Sequence, residues 1–180
     1  MQTSYQEITI REAEPKDAYK LCAWWNDGAV MAHAGFPNGL GTNTEKIITQ
    51  LSDPHPKSFL HVIEYQGTLI GEMNYRDAAP GVCEIGIKIC EASMQNKGLG
   101  KMILSLFISS LFEKYGYRKI QLDTNLTNTR AQHVYEQLGF RKVRVNVDSW
   151  TDQLGDLQSS VDYELEPKDF VSFLDFPQES

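Results

Sequence analysis

The stretch Gln95-Asn96-Lys97-Gly98-Leu99-Gly100-Lys101 separates two runs with different hydrophobic periods. Before it, Cys83–Cys90 (CEIGIKIC) alternates. Cys83, Ile85, Ile87 and Ile89 face one way and Glu84, Gly86, Lys88 and Cys90 the other, which is the period of a strand. After it, Leu99, Met102, Ile103, Leu106, Ile108, Leu111 and Phe112 mark the apolar stripe of a helix from about Gly98 to Lys114. A helix N-terminus offers unpaired N–H groups and the positive end of a dipole, and so favours an anion. Gly98 and Gly100 remove side chains that would block a phosphate, and Lys97 and Lys101 add positive charge. The physical reading of the turn is a phosphate or pyrophosphate site.

Working outward, the same two periods recur. Glu7 to Ala13 alternates as a strand. Pro15 then suits a helix's first turn, and Ala18, Leu21, Cys22 and Trp25 give one helical face, stopped by Asn26-Asp27-Gly28. Ala29 to Gly41 reads as a Gly/Pro-punctuated loop. Thr42-Asn43-Thr44-Glu45 matches a capping box, opening a short helix that buries Ile47, Ile48 and Leu51 and is closed by Pro54 and Pro56. Phe59–Tyr65 and Thr68–Tyr75 form a hairpin around Gln66-Gly67.

Downstream of the turn, Lys119–Thr124 is a strand. Thr129 to Leu138 is a short helix with Ala131, Val134, Tyr135 and Leu138 on one face and Gly139 at its C-terminal cap. Phe140–Val147 and Val161–Glu166 are the last strands. Hairpin strands followed by β-α-β-α-β predict an α/β (α+β) fold: a mixed, mostly antiparallel sheet of about seven strands with helices on both faces. No repeat or linker divides the chain, so residues 1–180 read as a single domain.

Composition bounds the function. A net charge of −7 disfavours nucleic acid as a partner and tolerates a cationic one. No run approaches a membrane span, and the first residues do not read as a secretory signal. Cys22, Cys83 and Cys90 are an odd, irregularly spaced set. They fit neither a disulfide framework nor, with the four histidines, a zinc site. Packing thiols in a reducing cytoplasm are the expectation, with no metal.

Three phosphate-binding patterns compete for the turn. A Walker loop fails, because the glycines are two apart and Met102 follows Lys101. A dinucleotide fingerprint fails, because Ile103 stands where its third glycine belongs. Gln/Arg-x-x-Gly-x-Gly/Ala fits in full, and it is the pyrophosphate loop of the GNAT N-acetyltransferase superfamily. Downstream, Asn128-Thr129-Arg130-Ala131-Gln132-His133-Val134-Tyr135-Glu136-Gln137-Leu138-Gly139-Phe140 resembles that superfamily's second signature, Asn-x-x-Ala-x-x-x-Tyr-x-x-x-Gly-Phe. The order and spacing of the two signatures carry the resemblance, which is most specific from Glu84 to Phe140. Trp24-Trp25-Asn26-Asp27, Val30-Met31, Phe36-Pro37 and Glu84-Ile85-Gly86-Ile87 look like the ribosomal-protein N-terminal alanine acetyltransferases. Aminoglycoside 6'-N-acetyltransferases share part of this arrangement.

The resemblance implies acetyl-CoA as co-substrate and a primary amine as acceptor, such as a protein N-terminus, an aminoglycoside or a polyamine. It implies that the strand bearing Ile87, Lys88 and Ile89 splays from its neighbour and pairs with the pantetheine arm as an added strand would. Gln95, Asn96, Lys97, Gly98, Leu99, Gly100 and Lys101 would hold the pyrophosphate, and Asn128 and Ala131 would contact CoA. Asn128 equally suits a helix N-cap. Tyr135 is the candidate acid for the leaving thiolate, or else a core aromatic. Glu84 is the first candidate base and Glu72 the second; either can be a surface or ion-paired carboxylate. His33 is expected to border the acceptor cleft and His133 to lie away from it. Trp24, Trp25, Phe36 and Tyr75 are candidates to shape the acceptor pocket, with core packing as the alternative.

The family also makes a homodimer an expectation. A non-catalytic CoA-binding sensor is the alternative function, and a nucleotide-binding protein is a third reading, weakened by the failed Walker and dinucleotide matches. The loop Ala29–Gly41 and the stretch Trp150–Asp162 are expected to wall the acceptor side.

Overall fold

Eight strands form one sheet in the order β1-β2-β3-β4-β5-β6-β8-β7 in the computed structural model, which describes residues 1–53 and 56–174. The strands are β1 (Gln2–Tyr5), β2 (Ile8–Glu12), β3 (Ser58–Tyr65), β4 (Thr68–Ala79), β5 (Val82–Ile89), β6 (Lys119–Asn125), β7 (Arg141–Thr151) and β8 (Leu157–Leu165). The helices are α1 (Ala18–Trp25), α2 (Gly28–Met31), α3 (Thr44–Ser52), α4 (Leu99–Glu113) and α5 (Thr129–Gln137). All neighbours are antiparallel except β5 and β6. The sheet is thus mixed and mostly antiparallel, with one more strand than the expected seven: β1, a polar run that pairs with β2.

Each face of the sheet buries a different set of helices. Ile103, Phe107 and Leu111 of α4, with Leu138 at the end of α5, pack on Ile10, Ile63, Met73, Ile120 and Val161. On the opposite face Ala18, Leu21 and Trp24 of α1 and Ile47 of α3 pack on Val62 and Cys90. Burial of these apolar groups is the main favourable contribution to the fold. The alternation read in residues 83–90 is what allows it: Cys83 and Ile85 enter the first core and Cys90 the second. The Cys83 and Cys90 thiols are each pushed up to about 12, chiefly by burial. All three cysteines are free.

Several expectations change on the structure. The residues 29–41 are not all loop, since α2 and a 3-10 turn at Ala32–Ala34 occupy the start. The cap of α3 is Asn43, whose side chain accepts from the Lys46 N–H at 2.9 Å, rather than Thr42. Ile47 is buried, whereas Ile48 is 39% exposed, because only one side of α3 meets the sheet. Pro54 lies outside the described residues. The single stripe expected of α4 is in fact burial nearly all round, from Ile103 to Leu111. Its outer side is covered by the chain after β8: the Phe173 N–H donates to Ser105 Oγ at 2.9 Å, and Phe170 packs edge-on to Phe112.

Candidate active site

β5 and β6 run parallel for only three pairs, Val82↔Lys119, Cys83↔Ile120 and Glu84↔Gln121. Beyond them β5 continues along β4 as far as Gly71↔Ile89, while β6 continues along β8 as far as Asn125↔Ser160. The divergence opens a cavity of about 660 Å³ lined by Ile85 to Ile89 on one side and Leu122 to Asn125 on the other. Past Glu84 the edge of β5 facing it has no ladder partner, so its backbone groups, apart from the Ile89 carbonyl that Gln95 meets, are available to a ligand.

The glycine turn closes one end. Gln95 and Gly100 line the cavity, and Asn96, Lys97 and Gly98 are exposed between them. Gly98 holds φ of 76°, a left-handed conformation that costs a glycine little. It also leaves α4 without a side-chain cap, whereas Asp27, Asn43 and Asn128 cap α2, α3 and α5. The first-turn N–H groups of α4 are therefore free to meet an anion. This bare helix start beside an unpaired strand edge fits a pyrophosphate joined to an extended arm.

Individual residues of the turn divide by role. The Leu99 side chain is in the core, leaving only its backbone for a ligand. Gln95 Nε2 donates to the Ile89 carbonyl at 2.9 Å and so braces the turn against the end of β5. Lys101 Nζ sits 4.7 Å from the Phe173 ring centroid, on the side of the C-terminal segment. Arg130 lines the cavity and was not singled out from sequence. A cation in the first turn of a helix opposes the dipole, a local conflict that signals another role.

Asn128 and Ala131 also line the cavity, and Asn128 Oδ1 accepts from the Ala131 N–H at 3.2 Å. Tyr135 projects from α5 into the same space. Its phenol is 8% exposed and pushed up to about 12, first by burial and then by the charge of Asp123.

The two candidate carboxylates separate. Glu84 lies opposite Arg76, whose Nη2 donates to both carboxylate oxygens at 2.7 and 2.8 Å. It lines a second, smaller cavity of about 550 Å³ and not the large one. Glu72 lines the large cavity at 4% exposure. Its Oε1 accepts from Lys88 Nζ at 2.9 Å and its Oε2 from Trp25 Nε1 at 2.8 Å. Asn74, His33 and Trp150 line the same space, whereas Trp24, Phe36 and Tyr75 do not. Among the described residues no group of His, Cys, Asp and Glu side chains could hold a metal ion, and no helix is long and apolar enough to cross a membrane.

Comparison with known proteins agrees with this architecture. The domain profile described as "Acetyltransferase (GNAT) domain" matches residues 7–141. The chain therefore belongs to the GNAT acetyltransferase family, whose members use acetyl-CoA. A spermidine N-acetyltransferase from Vibrio cholerae, solved with CoA and spermine, superposes with a TM-score of 0.79 at 20% identity, over 92% of this chain and 98% of that one. A ribosomal-protein-S5-alanine acetyltransferase from Vibrio fischeri gives 0.77 at 15% identity, over 95% and 99%. A kanamycin resistance protein from Rhizobium radiobacter is 36% identical over 63 residues, 35% of this chain. That likeness spans 58% of the resistance protein's length.

Proposed function

We propose that the protein is an N-acetyltransferase of one domain that moves an acetyl group from acetyl-CoA directly to a primary amine. The observation that carries this reading is the shared cavity: the unpaired edge of β5, the uncapped start of α4, Tyr135 and Glu72 all open onto it. Backbone groups of residues 85–89 hold the pantetheine arm, and the turn from Gln95 to Gly100 holds the pyrophosphate, with Arg130 and Asn128 nearby. The thioester supplies an activated acetyl group.

The amine must lose a proton to attack. Glu72 takes it, directly or through water, a role supported by its lining the large cavity, which Glu84 does not. Tyr135, which lines the same cavity and keeps its proton throughout the neutral range, delivers that proton to the departing sulfur. A cationic acceptor suits the net charge of −7 and the anionic Glu72 wall. The spermidine and kanamycin relatives point the same way. Buried free thiols suit a cytoplasmic setting.

Calorimetric titration with acetyl-CoA, ATP and NAD, followed by a free-thiol assay across a panel of amines, tests the reading. Selective acetyl-CoA binding with thiol release supports it. Tight CoA binding without release on any amine favours the non-catalytic sensor, and no acetyl-CoA binding overturns both.

A further inference from the structure

The acceptor side of the cavity has a roof built from two segments more than a hundred residues apart. One is the stretch from Ala29 to Gly41, which contributes His33 and Ala34 to the lining. The other is the tip of the β7–β8 hairpin, which contributes Trp150. Gln153 ties them with three hydrogen bonds. Its N–H donates to the Gly35 carbonyl at 2.8 Å, its Oε1 accepts from the Asn38 N–H at 2.9 Å, and its Nε2 donates to the Gly39 carbonyl at 3.0 Å. The indole of Trp150 lies so close to Gly35 that a Cβ there would stand 2.5 Å from the ring.

The far end of the loop is pinned as well. Asn26 Nδ2 donates to the Thr42 carbonyl at 2.9 Å, and Asn26 Oδ1 accepts from the Thr42 N–H at 2.9 Å. The segment is therefore fixed at its end and at its middle, and two of the three middle hydrogen bonds come from the Gln153 side chain. Leu154 and Leu157 at the hairpin tip are 60% and 62% exposed, so little apolar burial holds the tip without Gln153.

Building on the acetyltransferase reading, we propose that Trp150 and Gln153 determine acceptor specificity. The indole is a flat wall that admits a slender, unbranched alkyl amine and rejects a bulky one. Gln153 is a positioning residue that holds this wall in place. A rigid aromatic face packs well along methylenes and attracts a cationic head, while Glu72 supplies the opposing anionic group in the same cavity.

The test uses the full chain and two probes, 1,4-diaminobutane and cyclohexylamine, with thiol release as the readout. Trp150→Ala is expected to lower the kcat/KM preference for the linear amine about tenfold or more, mainly through KM, with the acetyl-CoA Kd within about twofold of wild type. Trp150→Phe should keep the preference. Gln153→Ala should lower it in the same direction and accelerate amide hydrogen exchange in residues 35–40 alone. An unchanged preference in Trp150→Ala overturns the proposal, as does unchanged exchange in Gln153→Ala. If the wild type binds acetyl-CoA but turns over neither probe, nor any amine of a wider panel, the acetyltransferase reading fails and this specificity assignment with it. If the wild type prefers the cyclic amine, the acetyltransferase reading stands and the wall assignment falls.

Discussion

Lys88 and Glu72 face each other in register across β5 and β4, with Lys88 Nζ donating to Glu72 Oε1 at 2.9 Å. Trp25 holds the other oxygen, so the carboxylate is oriented from both sides while bordering the cavity. An acceptor ammonium arriving here competes with Lys88 for an anion already in position. Glu72→Gln is expected to lower kcat about 100-fold, with acetyl-CoA affinity kept. Steady-state kinetics and calorimetry on both proteins check this. A Glu84→Gln variant with the larger loss would reverse the assignment, and on the structure it should change little, because Glu84 belongs to Arg76 and the other cavity.

Burial pushes the Tyr135 phenol up to about 12, so it remains protonated across the working range. Tyr135→Phe is expected to lower turnover about 100-fold and leave CoA affinity nearly unchanged, since only the hydroxyl is removed. The basic limb of the pH–rate profile should persist in the variant, because Tyr135 does not titrate there. A wild-type rate in Tyr135→Phe would remove the residue from the mechanism.

A Cβ at Gly98 would meet nothing within 4 Å, so a side chain fits there. Gly98→Asp places a carboxylate against the N–H groups an anion needs and repels a pyrophosphate. The backbone strain at φ of 76° costs on the order of 1 kcal/mol, so the fold is retained. Calorimetry is expected to show CoA binding weakened about tenfold or more, roughly 1.4 kcal/mol at least. Gly98→Ala should lose much less, and equal losses in the two variants would mean that charge plays no part.

His61 is fully buried between Tyr75 and Phe107, and burial lowers its pKa from 6.5 to about 4. The Phe59 carbonyl 3.1 Å from Nδ1 can only accept, so Nδ1 carries the proton and the buried Nε2 is left without a partner. The folded state thus binds a proton less readily than the unfolded one. Its contribution is full above pH 6.5 and is lost as pH falls toward about 4, amounting to about 3 kcal/mol at most. Urea unfolding at several pH values should show a shallower acid loss in His61→Phe than in wild type, and parallel curves would refute the assignment.

The parts of the fold governed by local rules were legible in the sequence. α4, β6 and α5 start and stop within a residue or so of their expected ends, because apolar period, glycine and Asx caps act within one turn. β1 was not legible: Gln2–Tyr5 has no apolar alternation and exists because β2 offers it an edge. The last two strands, expected at Phe140–Val147 and Val161–Glu166, were read too short, since β7 and β8 are polar and broken by bulges at Lys142/Arg144 and Asn146/Trp150. In the site, the glycine turn depends on backbone chemistry that composition reveals. The choice between Glu72 and Glu84 does not, because both sit on one face of adjacent strands, each opposite a cation. What separates them is their distance past the point where β6 leaves β5, a tertiary fact.

The position of β8 between β6 and β7 has a consequence for how the chain is made. β6 gains its second neighbour, and β7 its first, only when residues 157–165 have left the ribosome. A nascent chain stopped before Leu157 already carries the glycine turn and Tyr135, yet leaves the far wall of the cavity as a bare strand edge. Such an edge is a template for pairing with other chains. Products truncated before Leu157 should therefore be the aggregating ones, and a holdase chaperone should be needed most until residues 157–165 have emerged.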